Sequence, residues 1–205
     1  MDGTLIDGRT IFAIAEKYDF LNKIVEVMEK PIKNYVKSEI IAGFLKGLKV
    51  NEFLEIIQKI PLMNGAEEVS KALKKKGYKL GIISDSYTLA TEYFKQKLGF
   101  DFSVANKLEI KNGVLTGKIY MPMGWAEVGC FCEQSVCKRA HLRIYAGKYG
   151  VPVKKCVAVG DGLADLCMIE EAGTGIAFNP KTLELLKYAK IVVNKKDLRE
   201  ILKYL

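Results

Sequence analysis

From Asn64 to Leu205, short apolar runs rich in β-branched residues take turns with amphipathic helical stretches. That alternation constrains the fold more than any other feature of the 205-residue chain. "AEEVSKALKKKG" is predicted to be a helix closed by Gly77, and "YKLGIISDS" a buried strand running into polar residues. "TLATEYFKQKLG" is a helix ending at Gly99, "CVAVGDG" a strand and "LADLCMIEEAG" a helix. "GIAFN" and "AKIVVN" follow as short strands, and "KDLREILKYL" as a last helix. Strand and helix in turn predict an α/β fold with a doubly wound parallel sheet covered on both faces. One stretch departs from this. "KLEIKNGVLTGKIY" alternates on either side of Asn112-Gly113, which predicts a β-hairpin with a tight turn.

Between Arg9 and Met63 the texture is helical throughout. "TIFAIAEKYDFLNKIVEVMEK" repeats apolar residues at spacings of three and four, Pro31 breaks it, and "VNEFLEIIQKI" resumes the pattern. No strand is predicted there, and Phe12, Phe20, Phe44 and Phe53 read as core-facing helix residues. The chain thus divides into an α/β core, residues 1–8 and 64–205, and a small helical cap, residues 9–63.

The net charge of +8 comes mostly from lysines scattered beside glutamates along helix faces. Such a surface is solvated and mildly attractive to anions; it is not a nucleic-acid patch. No apolar stretch reaches the roughly 18 residues of a membrane helix, so no membrane partner is expected. The expectation is a cytoplasmic protein, monomeric or homodimeric, acting on a small molecule. Five cysteines, an odd number, do not form a secreted disulfide framework.

In open α/β sheets, chemistry collects at the carboxyl ends of the strands. Here that rule selects Asp2 to Thr4, Ser84 to Ser86 and Gly160 to Asp165. Asp161 and Asp165, four apart at a helix start, can face one site, and Gly160 and Gly162 let the backbone approach a ligand. Oxygen ligands from Asp2 and Asp161 suit Mg²⁺. Ser84, Asp85, Ser86 and Gly162 are candidate phosphate contacts, and Lys138 would neutralise the phosphoryl group. Each residue alone reads as a cap or a packing residue. Three strand ends together make a site.

"MDGTL", "IISDS", "CK" and "VAVGDGLAD" resemble, in order and spacing, the four motifs of the haloacid dehalogenase superfamily, most nearly its phosphoserine-phosphatase-like subgroup. The resemblance is strongest over residues 64–205 and weak across the helical cap. It implies Mg²⁺-dependent hydrolysis of a phosphate monoester through an aspartyl-phosphate. Asp2 would be the general acid/base with its backbone carbonyl on Mg²⁺, and Ser84 and Lys138 would bind phosphate. Asp161 would ligate Mg²⁺, and Asp165 would support the metal shell. The nucleophilic Asp is expected two positions before Asp2, upstream of Met1, closing an apolar strand that lies mid-sheet between "LGIIS" and "CVAVG". Each backbone group left unpaired without that strand costs about 1–3 kcal/mol, so a misassigned start or an incomplete sequence is expected. The alternative is a catalytically inactive phosphate- or metal-binding protein. Arg9 stands where phosphoserine-specific relatives place a Glu, and Ala164 where they usually carry Asn. No other arginine precedes Arg139, which leaves Lys37 or Lys46 to meet a carboxylate. The predicted substrate is a small organic phosphate with an additional negative group for Arg9.

"CFCEQSVCKRAHL" concentrates three of the five cysteines and the single histidine. Cys137 and His141 share a face if the segment is helical, and with Cys130 and Cys132 they would make a four-ligand zinc site. The expectation is reduced thiols packing a short loop, with a zinc site or a redox role as the alternatives. Cys156 and Cys167 read as small core residues, and Trp125 as a packing residue or a shield at the site entrance.

Overall fold

Four helices follow the N-terminal motif in a computed structural model that describes residues 1–122 and 130–205. They are α1 (Thr10–Lys17), α2 (Leu21–Glu29), α3 (Asn34–Gly43) and α4 (Val50–Lys59). The periodic run predicted as one helix is split between α1 and α2, where Asp19 takes a left-handed φ of 55°, a conformation a short polar side chain tolerates. Ala15, Ile24, Val27 and Ile41 form a small core of their own, edged by Phe12, Phe20 and Phe44. Phe53 is fully buried in the larger core instead, together with Phe94, Leu115 and Phe178.

The alternating part begins with α5 (Ala66–Lys75), β1 (Gly81–Tyr87), α6 (Thr88–Leu98) and β2 (Phe102–Lys111). Helix α5 carries Glu67 and Glu68 in its first turn and Lys74 and Lys75 in its last, charges that oppose the helix dipole at both ends. β1 and β2 are parallel, as a strand–helix–strand crossover requires. The rear of β2 then pairs antiparallel with β3 (Val114–Tyr120). Asn112 and Gly113 both take positive φ, 51° and 75°, the geometry of a two-residue hairpin turn. β2 starts well before the predicted hairpin, so one strand serves both pairings.

The second half is α7 (Lys138–Lys148), β4 (Val157–Gly160), α8 (Leu166–Glu171), β5 (Thr174–Phe178), α9 (Leu183–Leu186) and β6 (Ile191–Val193). β4, β5 and β6 are parallel in that order, and α8 packs on β4 and β5. The last predicted helix is a 3₁₀ helix, Leu198–Tyr204, started by Asp197, whose carboxylate accepts from the Arg199 N–H at 3.0 Å. Trp125 lies outside the described residues.

The α/β class holds, but the described strands form two sheets of three. Ile82 and Ile83 of β1 and Ala158 and Val159 of β4 line one largely apolar cavity of about 660 Å³, with Met1, Leu5 and Leu73. On the other side, the helical segment is stitched to the hairpin. The Gly47 N–H donates to the Leu115 carbonyl at 2.9 Å, and the Leu115 N–H donates to the Leu48 carbonyl at 2.8 Å. Among the described residues no helix is long and apolar enough to cross a membrane.

Candidate active site

β4 ends at Gly160, and the chain turns through a short 3₁₀ segment, Leu163–Asp165, into α8. Asp165 fixes that turn from inside. Its Oδ2 accepts from the N–H groups of Asp161 at 3.1 Å and Gly162 at 3.2 Å. Its Oδ1 accepts from Lys138 Nζ at 2.7 Å. Lys138 opens α7 and also lies 3.6 Å from Asp85 Oδ1 at the end of β1. Lys138 is only 3% and Asp165 6% exposed, so each ion is held by the other. Burial pushes the Asp165 carboxyl up, but the Lys138 charge, the α-amino charge and the hydrogen bonds from Lys138 and Gly162 together hold the pKa below the ordinary value. Burial likewise pulls Lys138 down, yet Asp165 and then Asp85 raise it overall, so it stays charged.

The N-terminal motif folds against the same loop. Thr4 Oγ1 donates to Asp161 Oδ1 at 3.1 Å, and Lys181 Nζ is bonded to Asp161 Oδ2. Gly3 takes a φ of 72°, and a Cβ there would fall 2.3 Å from Asp161 Oδ2, so only glycine passes. Asp2 is held by the first turn of α1: Thr10 donates to it from its N–H at 2.9 Å and from its hydroxyl at 3.0 Å. Burial pushes the Asp2 carboxyl above its usual range, outweighing the α-amino charge and the Thr10 hydrogen bonds.

At the end of β1, the pairing with β2 becomes irregular between Ile83 and Tyr87. Ser84 Oγ, nearly inaccessible, accepts from the Ser86 N–H at 3.2 Å. Ser86 Oγ is buried with no hydrogen-bond partner among the described residues. The Asp85 carbonyl accepts from Asn106 Nδ2 at 2.8 Å, and Asn106 also donates to Ser135 Oγ at 2.7 Å.

Thus Asp161, Asp165 and Lys138 form one connected set, which Asp85 joins through Lys138. Asp2, two residues before the Thr4 that bonds Asp161, is held separately by Thr10. The Gly162 N–H, a candidate phosphate contact from the sequence, donates to Asp165 Oδ2. Arg9 lies 5.1 Å from the centroid of the Phe12 ring. It lines a second cavity of about 660 Å³ with Gly3, Gly8 and Lys181. Lys37 donates to the Met28 carbonyl at 2.7 Å.

Thr10, Lys181, Asn106 and Ser135 were missed by sequence reasoning, while Thr4 lay within the selected segment Asp2 to Thr4 without an assigned role. Lys181 had a legible signal, since "FNPK" is a polar strand end after β5 like the three selected. Asn106, inside a strand, and Ser135, in a loop, had none.

Among the cysteines, Cys130, Cys132 and Cys137 do come together, but the fourth group with them is Cys167, not His141. Cys137 precedes α7 with extended φ −74° and ψ 98°, so the helical spacing of four that would align it with His141 does not apply. His141 is buried, with Nε2 unpartnered among the described residues. Cys167 therefore belongs to a side-chain cluster and is not simply core filling.

Residues 1–170 match the haloacid dehalogenase-like hydrolase family. A phosphoserine phosphatase of Methanocaldococcus jannaschii is 33% identical over 208 aligned residues, covering 100% of this chain and 94% of that protein. One from Archaeoglobus fulgidus is 36% identical over 191 residues, 91% of this chain but 52% of that protein, so the chain spans about half of its length. A solved substrate-bound phosphoserine phosphatase complex superposes with a TM-score of 0.87 at 32% identity, covering 100% of this chain and 95% of that one.

Proposed function

Because the chain belongs to the haloacid dehalogenase-like hydrolase family, in its phosphoserine-phosphatase-like group, we propose that it forms the site of a cytoplasmic Mg²⁺-dependent phosphatase for a small-molecule phosphate monoester. The observation that carries this is the buried Lys138. It bonds Asp165 on one side and faces Asp85 on the other, linking the two strand ends where Ser84 and Asp161 also lie.

Lys138, charged at any physiological pH, and Ser84 bind the phosphoryl oxygens. The unpartnered Ser86 hydroxyl offers a further donor. Asp2, with its raised pKa, holds a proton that it gives to the leaving oxygen and later recovers from water. The Asp161 carboxylate is nearly buried and already draws a cationic group, the Lys181 ammonium. With the Asp2 carbonyl it makes a hard-oxygen donor set that fits Mg²⁺. Bound there, the ion would offset developing phosphoryl charge. Asp165 is a positioning residue for Lys138 and the loop.

Residues 9–63 act as a cap over a core of residues 1–8 and 64–205, with Thr10 linking the cap's first helix to Asp2. In the cavity beside it, Arg9, Lys17, Lys59, Lys181 and Lys196 outnumber Asp7 and Glu16. That balance favours a substrate with a second anionic group. Arg9→Ala should raise KM roughly tenfold for such substrates, the effect of one charged hydrogen bond, and leave singly charged esters unchanged.

By the motif resemblance, the attacking carboxylate of this chemistry would stand two positions ahead of Asp2. The chain is therefore tested as given and fused at Met1 to an apolar strand ending in Asp-x. Binding of inorganic phosphate with Mg²⁺ and turnover of an aryl phosphate are measured. Both forms should bind, Lys138→Ala should not, and the fusion should turn over. Binding without turnover by the fusion supports a non-catalytic phosphate-binding protein; absence of binding in both overturns the site.

A further inference from the structure

We propose that Cys130, Cys132, Cys137 and Cys167 form a closed tetrathiolate site for one structural Zn²⁺, separate from the oxygen-lined site at the strand ends. Their four sulfurs all lie within 4.8 Å of one another. Four thiolates around zinc at bond lengths of about 2.3 Å stand about 3.8 Å apart, so a modest contraction closes the tetrahedron.

The surroundings fit a metal better than they fit packing. Cys130 and Cys137 are each 3% exposed and Cys167 is inaccessible, yet among the buried and half-buried described residues the only apolar side chain packed with the four sulfurs is that of Ala140. A region meant only to exclude water would use branched aliphatic groups, which fill space with more contacts. All five cysteines are free thiols. Arg139 Nη2 donates to Cys130 Sγ at 3.3 Å. Four thiols lose four protons on binding Zn²⁺, which leaves a net charge of two minus on the site. The Arg139 guanidinium offsets part of it, as a hydrogen bond to a ligating sulfur should.

The connectivity indicates what the ion does. Three ligands lie on the segment entering α7 and the fourth is on α8. Cys137 directly precedes Lys138, and Cys167 follows Asp165 by two residues. One ion therefore clamps together the two helix starts that carry the buried Lys138–Asp165 pair. With four protein ligands no position is left for water or substrate, so the role is to position these groups.

The test is metal analysis of protein purified without chelator, followed by Co²⁺ exchange. One zinc per chain is expected, and Co²⁺ should give the intense near-ultraviolet charge-transfer bands of tetrahedral thiolate ligation. Cys167→Ser should lower zinc affinity at least 100-fold. Cys132→Ser, at the half-exposed corner where folding is less at risk, should do the same. Cys156→Ser and His141→Asn should each keep one zinc. Zinc lost in His141→Asn but kept in Cys167→Ser overturns the ligand set. Stoichiometric iron overturns the choice of metal. Protein refolded with zinc that retains none, with all five thiols reactive, overturns the site.

Discussion

The starts of helices α7 and α8 each bring one residue to an oxygen-rich cluster and a near neighbour to a sulfur-rich one. Lys138 and Asp165 meet at the strand ends, while Cys137 and Cys167 meet in the thiol cluster. The first cluster is built of fixed charges that compensate one another: Lys138 with Asp165 and Asp85, and Lys181 with Asp161. The second is built of four thiol sulfurs, and a single guanidinium attends it. Hard carboxylate oxygens hold Mg²⁺ together with water and substrate phosphate, whereas soft thiolates enclose zinc completely. The same two helices thus serve a site that must admit a ligand and one that must not, and the closed one steadies the open one.

The comparison breaks most visibly at Lys138. Lys138→Met leaves Asp165 buried without its counter-charge, and urea unfolding should show a loss of about 3–5 kcal/mol. A variant within about 1 kcal/mol of the parent would mean that solvent already screens the pair. Stripping zinc comes next. With a loss of about 3 kcal/mol, and roughly 2–4 °C per kcal/mol for a chain of this size, the melting temperature should fall by at least about 6 °C. Zinc, not Mg²⁺, should restore it. Restoration by Mg²⁺ alone would assign the stability to the oxygen cluster.

Smaller effects separate the clusters further. Thr4→Val keeps volume but removes the hydroxyl bonded to Asp161. It should weaken Mg²⁺ binding by roughly 10–100-fold in calorimetry and leave zinc content at one. Unchanged Mg²⁺ affinity would remove Thr4 from the metal's surroundings. The smallest effect is a pH signature. Asp2 has a raised folded-state pKa, so the stability tied to its protonated form is present at low pH and lost as pH rises through that pKa. Asp165 runs the other way: its contribution is present above the ordinary carboxylate pKa and lost as pH falls through its lowered value. Asp2→Asn, which imitates the protonated form, should therefore raise the melting temperature slightly at pH 7 and leave it unchanged near pH 3. A larger gain at pH 3 than at pH 7 would reverse the assignment.

Much of this was legible in the sequence. The period-two and period-three-to-four patterns gave the order of elements, and Asn112-Gly113 gave the hairpin turn, because these signals are local. Three strand ends selected Asp2, Ser84, Asp161 and Asp165 because apolar strands leave their polar residues at the same end of a sheet. Lys138 was a candidate for neutralising phosphate, a role that the family resemblance then matched. The break at Asp19 was hidden, since apolar spacing continues across it while the backbone does not. Cys137 and His141 misled for a related reason: helical spacing was applied to a residue that precedes the helix.

What the sequence determined by itself was composition along the chain: which segments are strands or helices, and which reactive side chains stand at their ends. Only the tertiary structure decided partners. Lys181 reaching Asp161, Asn106 bonding the Asp85 carbonyl, and Cys167 completing three distant thiols are contacts across long sequence separations. Helices pack by the shape of whole faces, so no periodicity within one segment specifies which side chain of another will arrive beside it.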